Sequence, residues 1–215
     1  MKKILIIFAL IYSFNFIYSD DILIVTAIPN LILRENPTKN SEKILSIPFS
    51  SQVSILDRNG PEEKIGNIKS KWFKIEFKDQ VGWGFAGYLK TKEDFSKLLK
   101  KCKMLSGIYE TVSESEWNYS LKLEPNCSYQ FDYDAHYWDK KGKEINIYKK
   151  DSGLYKIDNR KITLVNSKGE IKKFTYYKLL SYAELGYKGG SSGFKWHDKD
   201  NSIISFWKYP LNNEN

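Results

Sequence analysis

The chain of 215 residues is poor in the side chains on which most enzymes depend, with only two cysteines and two histidines. A nucleophilic cysteine or serine needs a base within hydrogen-bond reach, and a zinc site needs closely spaced cysteines and histidines. Cys102 falls in a helical pattern and Cys127 in a turn, and neither position is typical of a nucleophile. This scarcity predicts a protein that is not an enzyme and holds no cofactor.

Motifs that bind phosphate or expose a catalytic serine are also missing. The stretch "KGGSSG", residues 188–193, lacks the Gly-Lys-Ser/Thr ending of a phosphate-binding loop. It matches Gly-x-Ser-x-Gly formally, but no strand pattern precedes it and no helix pattern follows it, as a nucleophile elbow requires. We expect a flexible loop there.

Charge of one sign is not concentrated anywhere. The formal net charge is +8, from 34 Lys and Arg and 26 Asp and Glu, and the two signs are interspersed. Nucleic-acid-binding domains usually carry a basic patch or stripe, so we predict no nucleic-acid partner. The positive excess remains compatible with a mild attraction to anionic polymers or lipids of a cell envelope.

An apolar run from Ile4 to Ile17 is too short to cross a membrane, which takes about 20 apolar residues. Two lysines precede it and Ser19 supplies a small residue at a plausible cleavage position, the layout of a secretory signal. No cysteine follows, so a lipid anchor is not expected. We predict a signal peptide over 1–19 and no membrane span after its removal. The mature protein is then exported, periplasmic or secreted at the cell envelope, and not a lipoprotein.

Aromatic residues are abundant, with 15 Tyr, 12 Phe and 6 Trp, and they favour β structure. From residue 22 to 90, about five short strand patterns alternate with turn residues, as in a small barrel. Thr91 then precedes apolar residues at helical spacing, which predicts a linker helix over 92–103 within the segment 91–104. From 105 to 210 about eight strand patterns predict an antiparallel barrel or sandwich. The predicted fold class is all-β, in two domains.

The two cysteines are an even number in a chain predicted to be exported. A disulfide between Cys102 and Cys127 is therefore one candidate, and two buried free thiols are the alternative. The bond would close a loop with 24 residues between the partners. Such a loop is worth about 3 kcal/mol in the chain-entropy model. Composition leaves the oligomeric state open.

The N-terminal domain carries a combined pattern over about 65–70 residues. Its elements are Leu31-x-x-Arg34-x-x-Pro37, Trp72-x-Lys74-Ile75, Gly82-Trp83 and Tyr88-Leu89. In this combination residues 22–90 resemble the bacterial SH3-like (SH3b) domain. The resemblance implies a small barrel and a non-catalytic binding module, in a family of cell-envelope and secreted proteins that recognise peptidoglycan or peptides.

The resemblance implies a cell-wall polymer or a peptide or protein as partner, held by exposed aromatics. The candidate ligand-binding residues are Trp72, Trp83, Tyr88, Arg34 and Asn36. Trp72 is expected at the surface because strand alternation places it on the same face as Lys74 and Glu76. In "VGWGFAGYL", residues 81–89, the same alternation sends the glycines to the other side. There another backbone can approach closely, or a neighbouring aromatic such as Phe77 must fill the gap.

The second domain offers a rival interpretation. Asp132, Asp134 and His136 share one face of a predicted strand and could hold a divalent metal with His197. A hydrolase or metal-binding protein is the function that this site would support. The alternative is that these residues form the solvent face of a barrel strand. The aromatics of this domain either line a pocket or fill the barrel.

Overall fold

The computed structural model describes residues 21–111, 117–181, 190–197 and 203–208. The predicted signal peptide, 1–19, lies outside this range, as do residues 188–189 of the predicted loop. The side chains of Trp117, His197 and Trp207 also lie outside it. Within the described residues, strands predominate and are joined by a single α-helix, which confirms the all-β prediction.

The N-terminal half forms one antiparallel sheet of eight strands among the described residues, in the order β3-β2-β7-β6-β4-β1-β8, with β5 paired to β6. The strands are β1 (Asp21–Val25), β2 (Asn30–Arg34), β3 (Lys43–Pro48), β4 (Gln52–Asp57), β5 (Glu62–Ile65), β6 (Ile68–Phe77), β7 (Gln80–Phe85) and β8 (Leu89–Lys90). A short 3-10 helix, Ala86–Tyr88, connects β7 to β8.

Turn chemistry and alternation explain this sheet. Lys78 and Asp79 both adopt positive φ, 51° and 61°, the two-residue turn whose twist suits a hairpin. It sets the register of β6 with β7 from Phe77 opposite Gln80 onward. On β2, Leu31 and Leu33 are buried while the residues between and beside them are half-buried, which is the period of two expected of a one-sided strand.

The two glycines of "VGWGF" allow β7 to lie close to its neighbours β2 and β6. A Cβ at Gly82 would lie 2.7 Å from the carbonyl oxygen of Arg34 and 2.9 Å from Leu33 Cγ. A Cβ at Gly84 would lie 2.6 Å from Ile75 Cδ1. The bare side of β7 is thus filled by aliphatic side chains and the β2 backbone. It is not filled by Phe77.

The linker helix α1 spans Lys92–Leu105, two residues beyond the predicted end. Thr91 caps it, since its hydroxyl accepts a hydrogen bond from the Asp94 amide at 3.2 Å. At the other end, Ser106 donates through its backbone amide and its hydroxyl to the carbonyl of Lys103. These bonds give a partner to a carbonyl group that the end of a helix otherwise leaves unpaired. They account for the helix ending later than predicted.

The C-terminal half is a closed antiparallel barrel of eight strands in the described residues. Each strand pairs with the next, and β9 closes the ring between β10 and β16. The strands are β9 (Gly107–Glu110), β10 (Trp117–Leu123), β11 (Ser128–Trp138), β12 (Glu144–Asp158), β13 (Lys161–Asn166), β14 (Ile171–Ser181), β15 (Gly190–His197) and β16 (Ile203–Lys208). The choice between barrel and sandwich is settled in favour of the barrel.

Local sequence patterns and the structure differ at two places in this half. "INIYKK" (145–150) and "SGLYKID" (152–158) each have a strand pattern of their own, but both are parts of one strand, β12, because β11 pairs with it continuously from Ser128 to Trp138. Residues 190–193 of the predicted loop belong to β15, where pairing with β14 and β16 satisfies the glycine-rich backbone. In both places a neighbouring strand overrides weak local strand propensity.

Helix α1 packs against one end of the barrel core. Leu98, Leu99 and Leu105 lie against the buried barrel cluster. Cys102 and Cys127 are fully buried and joined by a disulfide. The Tyr155 hydroxyl donates toward two carbonyl oxygens, that of Cys102 at 3.2 Å and that of Glu124 at 2.9 Å. The helix and the β10–β11 turn are therefore bound together at this end.

Candidate functional site

The outer surface of the N-terminal sheet carries one indole between two cations. On β7, Trp83 lies opposite Lys74 of β6 and, on its other side, opposite Arg34 of β2. Residues directly opposite each other in antiparallel strands point to the same face of the sheet. Lys74 is exposed, whereas Trp83 and Arg34 are half-buried. These three side chains, Arg34, Trp83 and Lys74, are named the Trp83 face.

A glycine seats the indole of Trp83. A Cβ at Gly60 would lie 2.6 Å from Trp83 Cζ3 and 2.2 Å from the carbonyl oxygen of Trp72. Any side chain there would push the ring outward or displace the backbone. The segment between β4 and β5 therefore packs against the ring of Trp83, which remains half-buried.

The polar candidates Arg34 and Asn36 border the long loop of residues 35–42. The Arg34 guanidinium donates to the Ser41 carbonyl at 2.5 Å, and the Asn36 amide donates to the Ser41 hydroxyl at 2.9 Å. Arg34 thus uses one of its five N–H groups to hold the loop. Asn36 is exposed, so the structure places it at the rim beyond Arg34.

The prediction that Trp72 is exposed is wrong, since only 1% of its surface is accessible. Its indole N–H donates to Glu63 Oε2 at 2.8 Å, and its ring contacts Phe85 edge-on at 5.6 Å. The cause is a register shift in the β4–β6 pairing, after which β6 pairs with β5 instead of β4. Strand β5 and the turn before it then fold over the face that alternation assigns to solvent.

Tyr88 lies in the 3-10 helix and is half-buried. Its ring contacts Phe85 at 5.7 Å, and its carbonyl accepts hydrogen bonds from the backbone and hydroxyl of Thr26, at 2.8 and 3.0 Å. The residue is anchored by its backbone and packs on the aromatic pair of Trp72 and Phe85. This arrangement makes Tyr88 a support of the sheet first, with only part of its ring available to a partner.

The Trp83 face has a definite chemical character. Guanidinium and ammonium groups bind carboxylates and phosphates, Arg through a planar fork and Lys as a point charge. An indole offers a flat apolar surface with low conformational entropy for stacking. A ligand that suits the three side chains together carries an anionic group next to an apolar or flat group.

The rival site in the barrel combines Asp132, Asp134 and His136, whose side chains the structure describes, with His197, whose side chain lies outside the described part. Among the described residues, no group of three or more His, Cys, Asp or Glu is placed to hold a metal ion. His136 Nε2 lies 3.5 Å from Asp134 Oδ1, and its Nδ1 contacts the Asn146 side-chain oxygen. Asp132 faces Lys150 across the ladder. The pKa of Lys150 is raised by a hydrogen bond that its ammonium donates to the Tyr148 hydroxyl and by electrostatic interaction with Tyr148 and Asp132. These side chains follow the solvent-face alternative.

The aromatic residues of the second domain pack inside the barrel. Phe174 contacts four other rings, with centroids between 5.6 and 6.4 Å apart: Phe131, Phe194, Trp196 and Phe206. Tyr109, Tyr129 and Tyr155 are buried with them. Ring packing of this kind fills the interior of a small barrel, which favours the filling alternative over a ligand pocket.

One charged pair lies partly inside the barrel wall. Asp151 Oδ2 accepts hydrogen bonds from Lys172 Nζ at 2.5 Å and from the Tyr129 hydroxyl at 3.1 Å. Burial acts to raise the Asp151 pKa, but the hydrogen bonds from Lys172, Asn166 and Tyr129 outweigh it and lower the pKa. The pair connects β12 and β14 near the end of β13, the strand that lies between them in the barrel. Its role is structural.

An open depression of about 730 Å³ lies on the outer barrel surface at the base of β11 and β12. Its lining mixes hydroxyl and amide groups with a few apolar atoms, from Asn126, Ser128, Gln130, Ser152 and Leu154 among others. The lining brings together no charged pair and no exposed ring. It therefore ranks below the Trp83 face as a binding site.

Sequence reasoning missed Lys74 and Gly60 as members of the site. The Lys78–Asp79 turn contains the signal for Lys74, because counting outward from a two-residue hairpin turn pairs Lys74 with Trp83. Nothing local marks Gly60 as the seat of the indole. Its role depends on β4 and β7, which are not adjacent in the sheet.

Residues 29–90 match the family model of the bacterial SH3 domain, which supports a binding module. This confirms the resemblance found in the sequence and places Arg34, Lys74 and Trp83 inside the matched segment. No curated protein matches the chain.

None of the helices in the described residues has the length and apolar character needed to cross a membrane.

Proposed function

We propose that the chain is an exported binding protein whose bacterial SH3 domain holds a carboxylate-bearing cell-wall polymer at the Trp83 face. The observation that carries this proposal is the row Arg34–Trp83–Lys74 across β2, β7 and β6. Cell-wall peptides and polymers expose carboxylates next to apolar groups, which is the combination that two cations and an indole recognise. Export rests on the signal pattern over 1–19.

The partner contacts divide between the surface and the loop. Trp83 stacks on the apolar part of the ligand, and Lys74 and the unspent N–H groups of Arg34 bind its carboxylate. Asn36 at the rim supplies a polar contact, and Tyr88 contributes the accessible part of its ring. Trp72 is not a contact, because it is buried beneath β5.

A pull-down of the full chain with purified peptidoglycan sacculi tests this proposal. Lys74→Glu reverses the charge next to the indole, and we expect at least about a tenfold loss of retention, as for charge pairs that act at an interface. Lys90→Glu is the matched control, since Lys90 is exposed in β8 and the change in net charge is the same. Trp83→Ala is expected to reduce retention as well.

The outcomes are distinct. Equal retention of the Lys74→Glu and Lys90→Glu variants, or no retention of the unchanged chain, contradicts the proposal. Retention that free peptide removes and sugar polymer does not would assign the site to a peptide partner. Trp83→Ala needs a parallel unfolding curve because the ring also packs on the core, whereas Lys74 is exposed and its variant tests binding alone.

A further inference from the structure

Among the described residues, the β11–β12 hairpin extends beyond the two strands that flank it, β10 and β13. Strand β10 pairs with β11 only as far as Ala135, and β13 pairs with β12 only from Gly153 onward. The two strands continue together to the pair Trp138 and Glu144. We name residues 136–150 the arm. Its outer end is a two-stranded ribbon without a neighbouring described strand on either side.

The arm exposes aromatic side chains on both faces, with Trp138 and Tyr137 at its tip and Tyr148 nearer to the barrel. Trp138 is 62% accessible, and it shares the outer face with Tyr148, which is 60% accessible. Tyr137 points to the opposite face, 39% accessible, next to half-buried Ile145. Exposed large apolar residues in such a group mark an interaction site more often than isolated ones do.

The turn that ends the arm is cationic and held in shape. Asp139 Oδ1 accepts hydrogen bonds from the backbone amides of Lys141 and Lys143, at 2.8 and 3.0 Å, and Gly142 adopts φ +74°. The side chains of Lys140, Lys141 and Lys143 are all exposed. Over residues 136–150 five lysines stand against two carboxylates, a net charge of +3 with His136 neutral.

We propose that the tip of the arm binds the surface of an anionic lipid bilayer. Tryptophan and tyrosine favour the interface between water and hydrocarbon, where the ring is in an apolar layer and its polar edge is hydrated. Lysines near an anionic surface each add attraction. A polymer stacks on one face of a ribbon, whereas immersion in an interfacial layer uses apolar groups on both faces, and the arm has them on both.

The arm and the helix lie at opposite ends of β11. Cys127, bonded to α1, immediately precedes the strand, and Trp138 ends it. Eleven residues of strand span about 33 Å. The tip therefore reaches a surface without involving the helix end of the barrel, and the inference rests on residues separate from the Trp83 face.

Vesicle flotation of the full chain tests the inference. We expect association with vesicles of phosphatidylglycerol and phosphatidylcholine in equal parts, weaker association in high salt, and none with phosphatidylcholine alone. Lys140, Lys141 and Lys143 changed together to Gln should weaken association on the order of 100-fold. Trp138→Ser should weaken it about tenfold or more.

Two matched controls locate the effect. Lys100, Lys101 and Lys103 changed together to Gln remove the same charge from exposed positions of α1, and Ile171→Ser removes a side chain that is 59% exposed outside the arm. Both should float like the unchanged chain. Equal loss in the arm and helix triple variants, or no flotation at low salt, overturns the inference. Binding to sacculi but not vesicles, lost in Trp138→Ser, also overturns it. A Lys74→Glu variant that still floats separates this result from failure of the proposed function.

Discussion

The N-terminal sheet and the C-terminal barrel build their interiors from different side chains. The sheet buries mainly aliphatic residues, with Trp72 and Phe85 as the large rings, and uses glycines to bring backbones together. The barrel buries tyrosine and phenylalanine on nearly every strand. A closed ring of eight strands encloses more volume than short strands do, and rings fill that volume. The barrel therefore uses most of its rings for packing and exposes a few on the β11–β12 hairpin, whereas the sheet leaves Trp83 and Tyr88 half-buried.

The two regions also differ in covalent closure, and removal of the disulfide is expected to have the largest effect. Cys102→Ala with Cys127→Ala frees a loop of 24 intervening residues and costs about 3 kcal/mol of stability in the chain-entropy model. Hydrogen exchange followed by mass spectrometry resolves the effect by segment. Amides of the barrel strands should exchange on the order of 100-fold faster, while those of β2 and β7 stay unchanged.

Reduction of the unchanged chain serves as the control for this variant and should give the same pattern. Equal acceleration in β2 and β7 would show that sheet and barrel open as one unit. That result would contradict the prediction that the disulfide stabilises the barrel and not the sheet.

We expect a smaller loss of stability when a side chain is added where strands of the N-terminal sheet approach each other closely. Gly82→Ala places a methyl group 2.7 Å from a backbone oxygen, and overpacking of this kind costs about 1–3 kcal/mol. Val81→Ala, at an adjacent residue that is 44% exposed, should change the unfolding free energy by about 0.5 kcal/mol or less. Urea unfolding of both variants measures the difference. Equal stability of the two would mean that β7 moves away from β2 at little cost.

The smallest effect concerns acid stability of the barrel. Because the folded-state pKa of Asp151 is lowered from 3.8, its ion pair with Lys172 contributes stability above the ordinary pKa. This contribution is lost as the pH falls below 3.8 through the lowered value. Asp151→Asn should flatten the decline in barrel stability over that range. Asp158→Asn, at the exposed last residue of β12, should keep the decline. Identical acid profiles of all three proteins would remove the ion pair as the cause.

Local sequence patterns were sufficient to predict the secondary-structure elements, but they were not sufficient to predict which single side chains are exposed. The period of two on β2, the turn at Lys78–Asp79 and the Thr91 cap are local signals, and each predicts an element that the structure contains. The burial of Trp72 depends on a register shift between β4 and β6 and on β5 folding across it. No pattern within one strand encodes such a rearrangement.

Closure of the barrel and composition of the site share this non-local origin. The ring closes through β9 and β16, which are separated by almost the whole domain in sequence. The number of predicted strands alone therefore could not distinguish a barrel from a sandwich. Arg34 meets Trp83 because β2 pairs with the distant strand β7 on the side opposite its sequential neighbour β3. Lys74, by contrast, lies one hairpin away and was within reach of sequence reasoning.

Helix α1 fixes the relative direction of two side chains, one that contacts the N-terminal sheet domain and one that is bonded into the barrel. Phe95 contacts Phe49 of the N-terminal half at 5.7 Å, and Cys102, seven residues later, is bonded into the barrel. Seven residues make about two turns, so both side chains leave the same side of the helix. One residue inserted or deleted between them rotates one contact by about 100° relative to the other. We therefore expect the number of residues between Phe95 and Cys102 to tolerate no change, because both contacts depend on it.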